Sequence, residues 1–64
     1  MNIKYVDFDG KVETYANVRP EFTESVINRV YSYSICRMTQ TKEGIKYTFG
    51  TYEGNLASYT FIEG

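Results

Sequence analysis

With 64 residues, no histidine and one cysteine, the chain lacks the commonest general base, the commonest metal ligand and any internal disulfide. Its 42% apolar residues and single proline point to one folded domain over residues 1–64, small enough to bury only about 60% of the surface its unfolded chain exposes. Seven basic residues against eight acidic ones, with no block of like charge, weigh against duplex DNA as a partner, because affinity there comes largely from neutralised phosphates.

Residues 2–18 read as a β-hairpin. Asn2 to Phe8 and Lys11 to Val18 flank Asp9-Gly10, a strong signal for a two-residue turn. That loop would pair Phe8 with Lys11 and Tyr5 with Thr14. One face would then carry Ile3, Tyr5, Val12, Ala16 and Val18, and the other Lys4, Val6, Phe8, Lys11, Glu13 and Tyr15.

Residues 20–33 read as the single helix. Pro20 suits the first helical position, and Glu21 and Glu24 lie near the positive end of the helix dipole. Phe22, Val26, Ile27, Val30, Tyr31 and Tyr33 recur at helical spacing and form an apolar stripe. Ser32-Tyr33-Ser34 is a poor helical ending, so the chain is expected to leave the helix there.

The remainder reads as a three-stranded meander over 35–42, 45–53 and 56–63, punctuated by Glu43-Gly44 and Gly54-Asn55. Cys36, Met38, Ile45, Tyr47 and Phe49 share one face, and Arg37, Thr39, Thr41, Lys46, Thr48 and Tyr52 share the other. The last strand has two registers open to it. A two-residue loop at Gly54-Asn55 puts Tyr59 and Phe61 on the solvent side beside Arg37 and Lys46. A three-residue loop over 53–55 slips the strand by one residue and sends both rings into the core. The order ββαβββ predicts an α+β fold, a five-stranded antiparallel sheet with one helix packed across one face. Its other face is left to solvent.

No motif carries catalytic chemistry. Tyr5-Val6-Asp7-Phe8-Asp9-Gly10 resembles the nucleophile loop of the haloacid dehalogenase phosphatase superfamily over six residues. Lys11 stands where that superfamily has Thr or Val, and its parallel sheet is far longer than this chain, so the stretch reads as a polar hairpin tip. Asp7, Asp9 and Glu13 have the odd spacing of a calcium loop, but Lys11 would enter the ion's shell and Val18 stands at the twelfth position, where an EF-hand places a bidentate Glu. Cys36 has no histidine to activate it and reads as a small buried hydrophobe. No enzymatic activity, metal or cofactor is expected.

Seven tyrosines and four phenylalanines exceed what so small a core can hide. Phe22, Tyr31, Tyr47 and Phe49 read as core. The rings left over, Tyr52, Tyr59, Phe61, Tyr15 and Phe8, together with Arg37 and Lys46, form the candidate partner-binding set, since tyrosine and arginine dominate interface hot spots. The expected function is therefore a small non-catalytic protein-binding module of inhibitor or adaptor type, a class that includes phage-encoded anti-host and anti-defence factors. An acidic pI near 5.2 would suit a basic partner such as a nucleic-acid-processing protein. Two alternatives stand beside it. One is a single-strand nucleic-acid-binding domain that stacks bases on sheet aromatics. The other is a structural homodimer joined through open strand edges. No run approaches the roughly 20 apolar residues of a membrane span, and no apolar signal region opens the chain, so a cytoplasmic protein with no membrane partner is expected.

Overall fold

The computed structural model describes residues 1–50 and 54–63. Its elements are β1 (Asn2–Val6), β2 (Val12–Tyr15), α1 (Pro20–Tyr31), β3 (Ile35–Gln40), β4 (Ile45–Gly50) and β5 (Leu56–Ile62). The five strands form one antiparallel sheet in the order β2-β1-β5-β4-β3. The α+β architecture is the one that the residue pattern predicts. The order also reveals what no single strand announces: β5 inserts between β1 and β4, which leaves β2 and β3 as the two edges.

The first hairpin closes differently from the expectation. Val6 pairs with Val12 and Tyr5 with Glu13, so the loop has three residues, Phe8-Asp9-Gly10. Asp7 and Lys11 flank it: the Asp7 amide donates to the Lys11 carbonyl, and the Gly10 amide donates to the Asp7 carbonyl. Gly10 takes a left-handed φ of 84°, and the Asp7 carboxylate accepts from the amides of Asp9 and Lys11 at 2.9 and 2.8 Å. A carboxylate that satisfies two loop amides makes this turn better than the two-residue alternative. The one-residue slip exchanges faces across β2. Glu13 and Tyr15 join Ile3 and Tyr5, while Val12 joins Lys4 and Val6.

After β2 the chain is fastened to its own beginning. Asn17, at φ 55°, donates its amide to Asn2 Oδ1, and the Val18 amide donates to the Met1 carbonyl. Asparagine tolerates this left-handed conformation at modest cost. Arg19 is the N-cap with Pro20 behind it in the first turn, Glu21 complements the dipole, and Ser32 closes the C-terminus. The helix thus ends at Tyr31, and Tyr33 follows it.

β3 and β4 meet with Gln40 opposite Ile45, so their two-residue loop is Lys42-Glu43 rather than Glu43-Gly44. The shift is two residues, an even number, and the predicted faces survive. Gly44 is required by close approach: a Cβ there would run into the backbone carbonyl of Phe61.

β4 and β5 pair with Phe49 opposite Ala57 and Tyr47 opposite Tyr59. This has the parity of the longer-loop alternative and sends both Tyr59 and Phe61 to the helix-covered face. Ile3, Tyr47, Phe49, Ala57 and Phe61 from the sheet meet Val26 and Val30 of the helix to form the buried core, with Phe61 only 5% exposed.

Candidate functional site

The helix-covered face gathers the rings. Tyr5 approaches Tyr59 at 4.7 Å between centroids, Tyr59 stacks on Phe49, and Tyr33 and Phe8 approach Phe49 at 4.6 and 6.5 Å. A second chain runs from Tyr31 to Tyr47 to Phe61, and Tyr15 meets Phe22 at 6.0 Å. Every described aromatic ring therefore has an aromatic neighbour. Such pairs add about 0.5–1.5 kcal/mol each beyond the area they bury. The apparent surplus of aromatics is used to thicken a core that one twelve-residue helix could not fill alone.

This dissolves the single patch expected from the sequence. Arg37 and Lys46 lie on the open sheet face as predicted. Tyr59 and Phe61 are on the opposite side, in or against the core. Tyr15 also lies on the helix-covered face, and its hydroxyl donates to Glu13 Oε2 at 2.7 Å. Phe8 is exposed but sits in the first loop, in an edge-to-face arrangement with Phe49. Tyr52 lies outside the described residues. Conversely, Phe22 at 43% exposure and Tyr31 at 60% are not the buried core residues that their helical spacing suggests. Both lie near the ends of α1, past the sheet centre that Val26 and Val30 cover.

The open face is patterned, with a polar centre and apolar residues such as Val12, Ile35 and Leu56 toward its margins. Cross-strand pairing sets Thr14, Lys4, Thr60, Lys46 and Thr39 in one row across all five strands, alternating hydroxyl and ammonium. The next row runs Val12, Val6, Ser58, Thr48, Arg37. Lys4 and Lys46 stand roughly 10 Å apart on either side of β5, two strand spacings. Glu43, in the β3–β4 loop, accepts from Lys4 Nζ at 2.9 and 3.0 Å, so this ion pair spans β5. Thr60, on β5 between the two lysines, is only 3% exposed although it faces outward. Among the described residues, Arg37 and Lys46 have no carboxylate within salt-bridge distance.

The edge formed by β3 is the other distinctive feature. It runs six residues without a bulge or proline, pairs with β4 on one side, and has no strand on the other among the described residues. Met38 is 61% exposed on its helix-covered side, because α1 passes over β4 rather than over β3. Tyr31 from the helix end and Ile45 from β4 extend that apolar surface around Tyr47, and Ile35 adds to the edge from the other face. The alternation of β3 puts Met38 on the face that it occupies, a face that the residue pattern presents as covered. No residue of β3 signals that it is an edge, since that depends on which strands pair elsewhere.

Burial pushes the phenols of Tyr5 and Tyr47 above their ordinary range, with Tyr59 adding to the first and Tyr31 to the second. Tyr15 is raised as well, chiefly by its hydrogen bond to Glu13. Among the described residues no group of His, Cys, Asp and Glu is placed to hold a metal ion, and no helix is long and apolar enough to cross a membrane. Compared with protein-family models, with curated proteins and with solved structures, the chain matches none.

Proposed function

We propose that this chain is a non-catalytic protein-binding module that acts by occupying a partner's surface, as small inhibitors and adaptors do, with β3 as its contact element. The observation that carries the reading is the combination at β3 of an edge free of bulge and proline and an exposed apolar border made by Met38, Tyr31 and Ile45. Unpaired strand edges template the addition of another strand, and proteins that do not use them guard them with charge, proline or bulges. Only Arg37 charges this one.

The alternative of base stacking on sheet aromatics has less support. The open face keeps its cations, but Tyr59 and Phe61 are on the other side of the sheet, and no described ring belongs to the open-face rows.

The test is affinity capture from the native source with the wild-type chain and with Met38→Lys, after circular dichroism establishes that both fold. Loss of the wild-type partner with Met38→Lys, and its retention with Lys11→Ala at the far hairpin, is the expected result. An unchanged set of captured proteins would remove β3 as the contact element.

A further inference from the structure

Resting on β3 as the contact element, we infer that its preferred occupant is an extended partner segment in which acidic and apolar side chains alternate. The two faces of β3 differ in chemistry. Arg37 and Thr39 point to the open face, while Cys36 and Met38 point to the helix-covered face. A strand added to this edge continues both faces, because paired residues project to the same side. Its side chains opposite Arg37 and Thr39 enter a cationic, hydroxyl-bearing surface. The intervening ones lie beside Met38 and Tyr31 and need to be apolar.

The open-face half of the site is concave. A depression of about 450 Å³ is lined by Arg37, Lys46, Thr39 and Thr48 and rimmed by Ile35 and Leu56. It adjoins the β3 edge, and a carboxylate on an added strand would reach it. Among the described residues of the strands, the charge around it is one-sided. On the five strands the only described carboxylate is Glu13, which faces the helix side, and Glu43 is engaged by Lys4. Arg37 and Lys46, which line the depression, are therefore the cations that an acid entering it meets.

This differs from the basic partner that net charge suggests. Net charge sums over the whole surface, whereas an added strand senses the cations within a Debye length of it, about 8–10 Å at ordinary ionic strength. A second copy of the chain is a poorer occupant. Antiparallel self-pairing centred on Met38 sets Arg37 opposite Thr39, and centring on Arg37 sets like charges together. Neither supplies a carboxylate, because β3 has none.

The test uses three blocked eight-residue peptides that alternate valine with glutamate, lysine or serine, and a thymidine oligonucleotide of matching length. Binding is read by backbone amide shifts of the intact protein at low and physiological salt. The glutamate peptide is expected to perturb β3 amides and to bind roughly tenfold more tightly than the lysine peptide, the sum of two cross-strand charge contacts of about 0.7 kcal/mol each. Arg37→Glu with Lys46→Glu is expected to reverse that order. Equal affinity for all three peptides at β3 would overturn the acidic assignment and leave the edge as contact element. Shifts confined to other strands, or none at all, would overturn both. Tighter binding of the oligonucleotide at Arg37 and Lys46, or concentration-dependent self-association through β3 in light scattering, would also overturn the acidic-strand assignment.

Discussion

Tyr59 stacks on Phe49 with ring centroids 5.5 Å apart and planes 14° from parallel, although the two are diagonal rather than directly paired: Phe49 lies opposite Ala57, and Tyr59 opposite Tyr47. Alanine opposite Phe49 leaves room for the diagonal ring to lie flat. The contact joins β4 to β5, and through Tyr5 it extends to β1. One stack thus ties the amino-terminal hairpin to the carboxy-terminal meander.

Phe49→Ala is expected to unfold the domain at 25 °C. Phenylalanine-to-alanine changes in a core cost about 3–5 kcal/mol, and a single core in a chain this short supplies little more than that in total. Tyr59→Phe retains the ring and should stay within about 1 kcal/mol of wild type. Circular dichroism with urea denaturation checks both, and a folded Phe49→Ala would show that the stack is not central.

Phe22→Ala and Tyr31→Ala should each cost only about 1 kcal/mol, the value of an aromatic pair at the surface, since both rings are largely exposed. A Tyr31→Ala variant that melts as early as Phe49→Ala would contradict the placement of Tyr31 at the border of the core.

Gly44→Ala is expected to destabilise by roughly 1–3 kcal/mol, because the added methyl meets a backbone carbonyl that no rotamer change can move aside. Gly10 offers the comparison. It has open space around it, so Gly10→Asn should be mild while Gly10→Val is costly, the left-handed conformation being the sole obstacle. Equal thermal midpoints for Gly44→Ala and wild type would refute the close approach to Phe61.

Stability should fall as pH rises above about 10. Tyr5 and Tyr47 titrate higher in the folded chain than the ordinary value of 10.0, burial being the main cause. Between the two values the native state holds protons that the unfolded state has released, so unfolding gains ground with each increment of pH. The contribution is fully present below pH 10 and is lost as pH rises through the folded values. Urea midpoints measured from pH 8 to 11.5 check this. The decline should be shallower in Tyr47→Phe, and a midpoint constant across that range would contradict it.

Asp7→Ala should cost about 1 kcal/mol by leaving the Asp9 and Lys11 amides of the first loop without their side-chain acceptor. Amide exchange of Asp9 and Lys11 should accelerate in this variant before that of Tyr47 or Phe49. Uniform acceleration across the sheet would mean that the loop is not a local unit.

The residue pattern by itself determined the element order, the helix over Val26 and Val30, and the faces of β3 and β4. These features rest on local periodicity and survive a register shift of two. It did not determine the faces of β2, because a three-residue loop held by Asp7 competes closely with a two-residue one, and one residue of slip exchanges every side chain. It left two registers for β5, and only packing of Tyr59 and Phe61 into the core separates them. Nor could it identify the candidate contact surface. Arg37 and Lys46 were legible as outward-facing cations, but Met38 becomes an exposed edge residue only because β5 lies between β1 and β4 and α1 passes over β4. Edge and centre are properties of strand order, and strand order is decided by long-range burial, which no local stretch of sequence encodes.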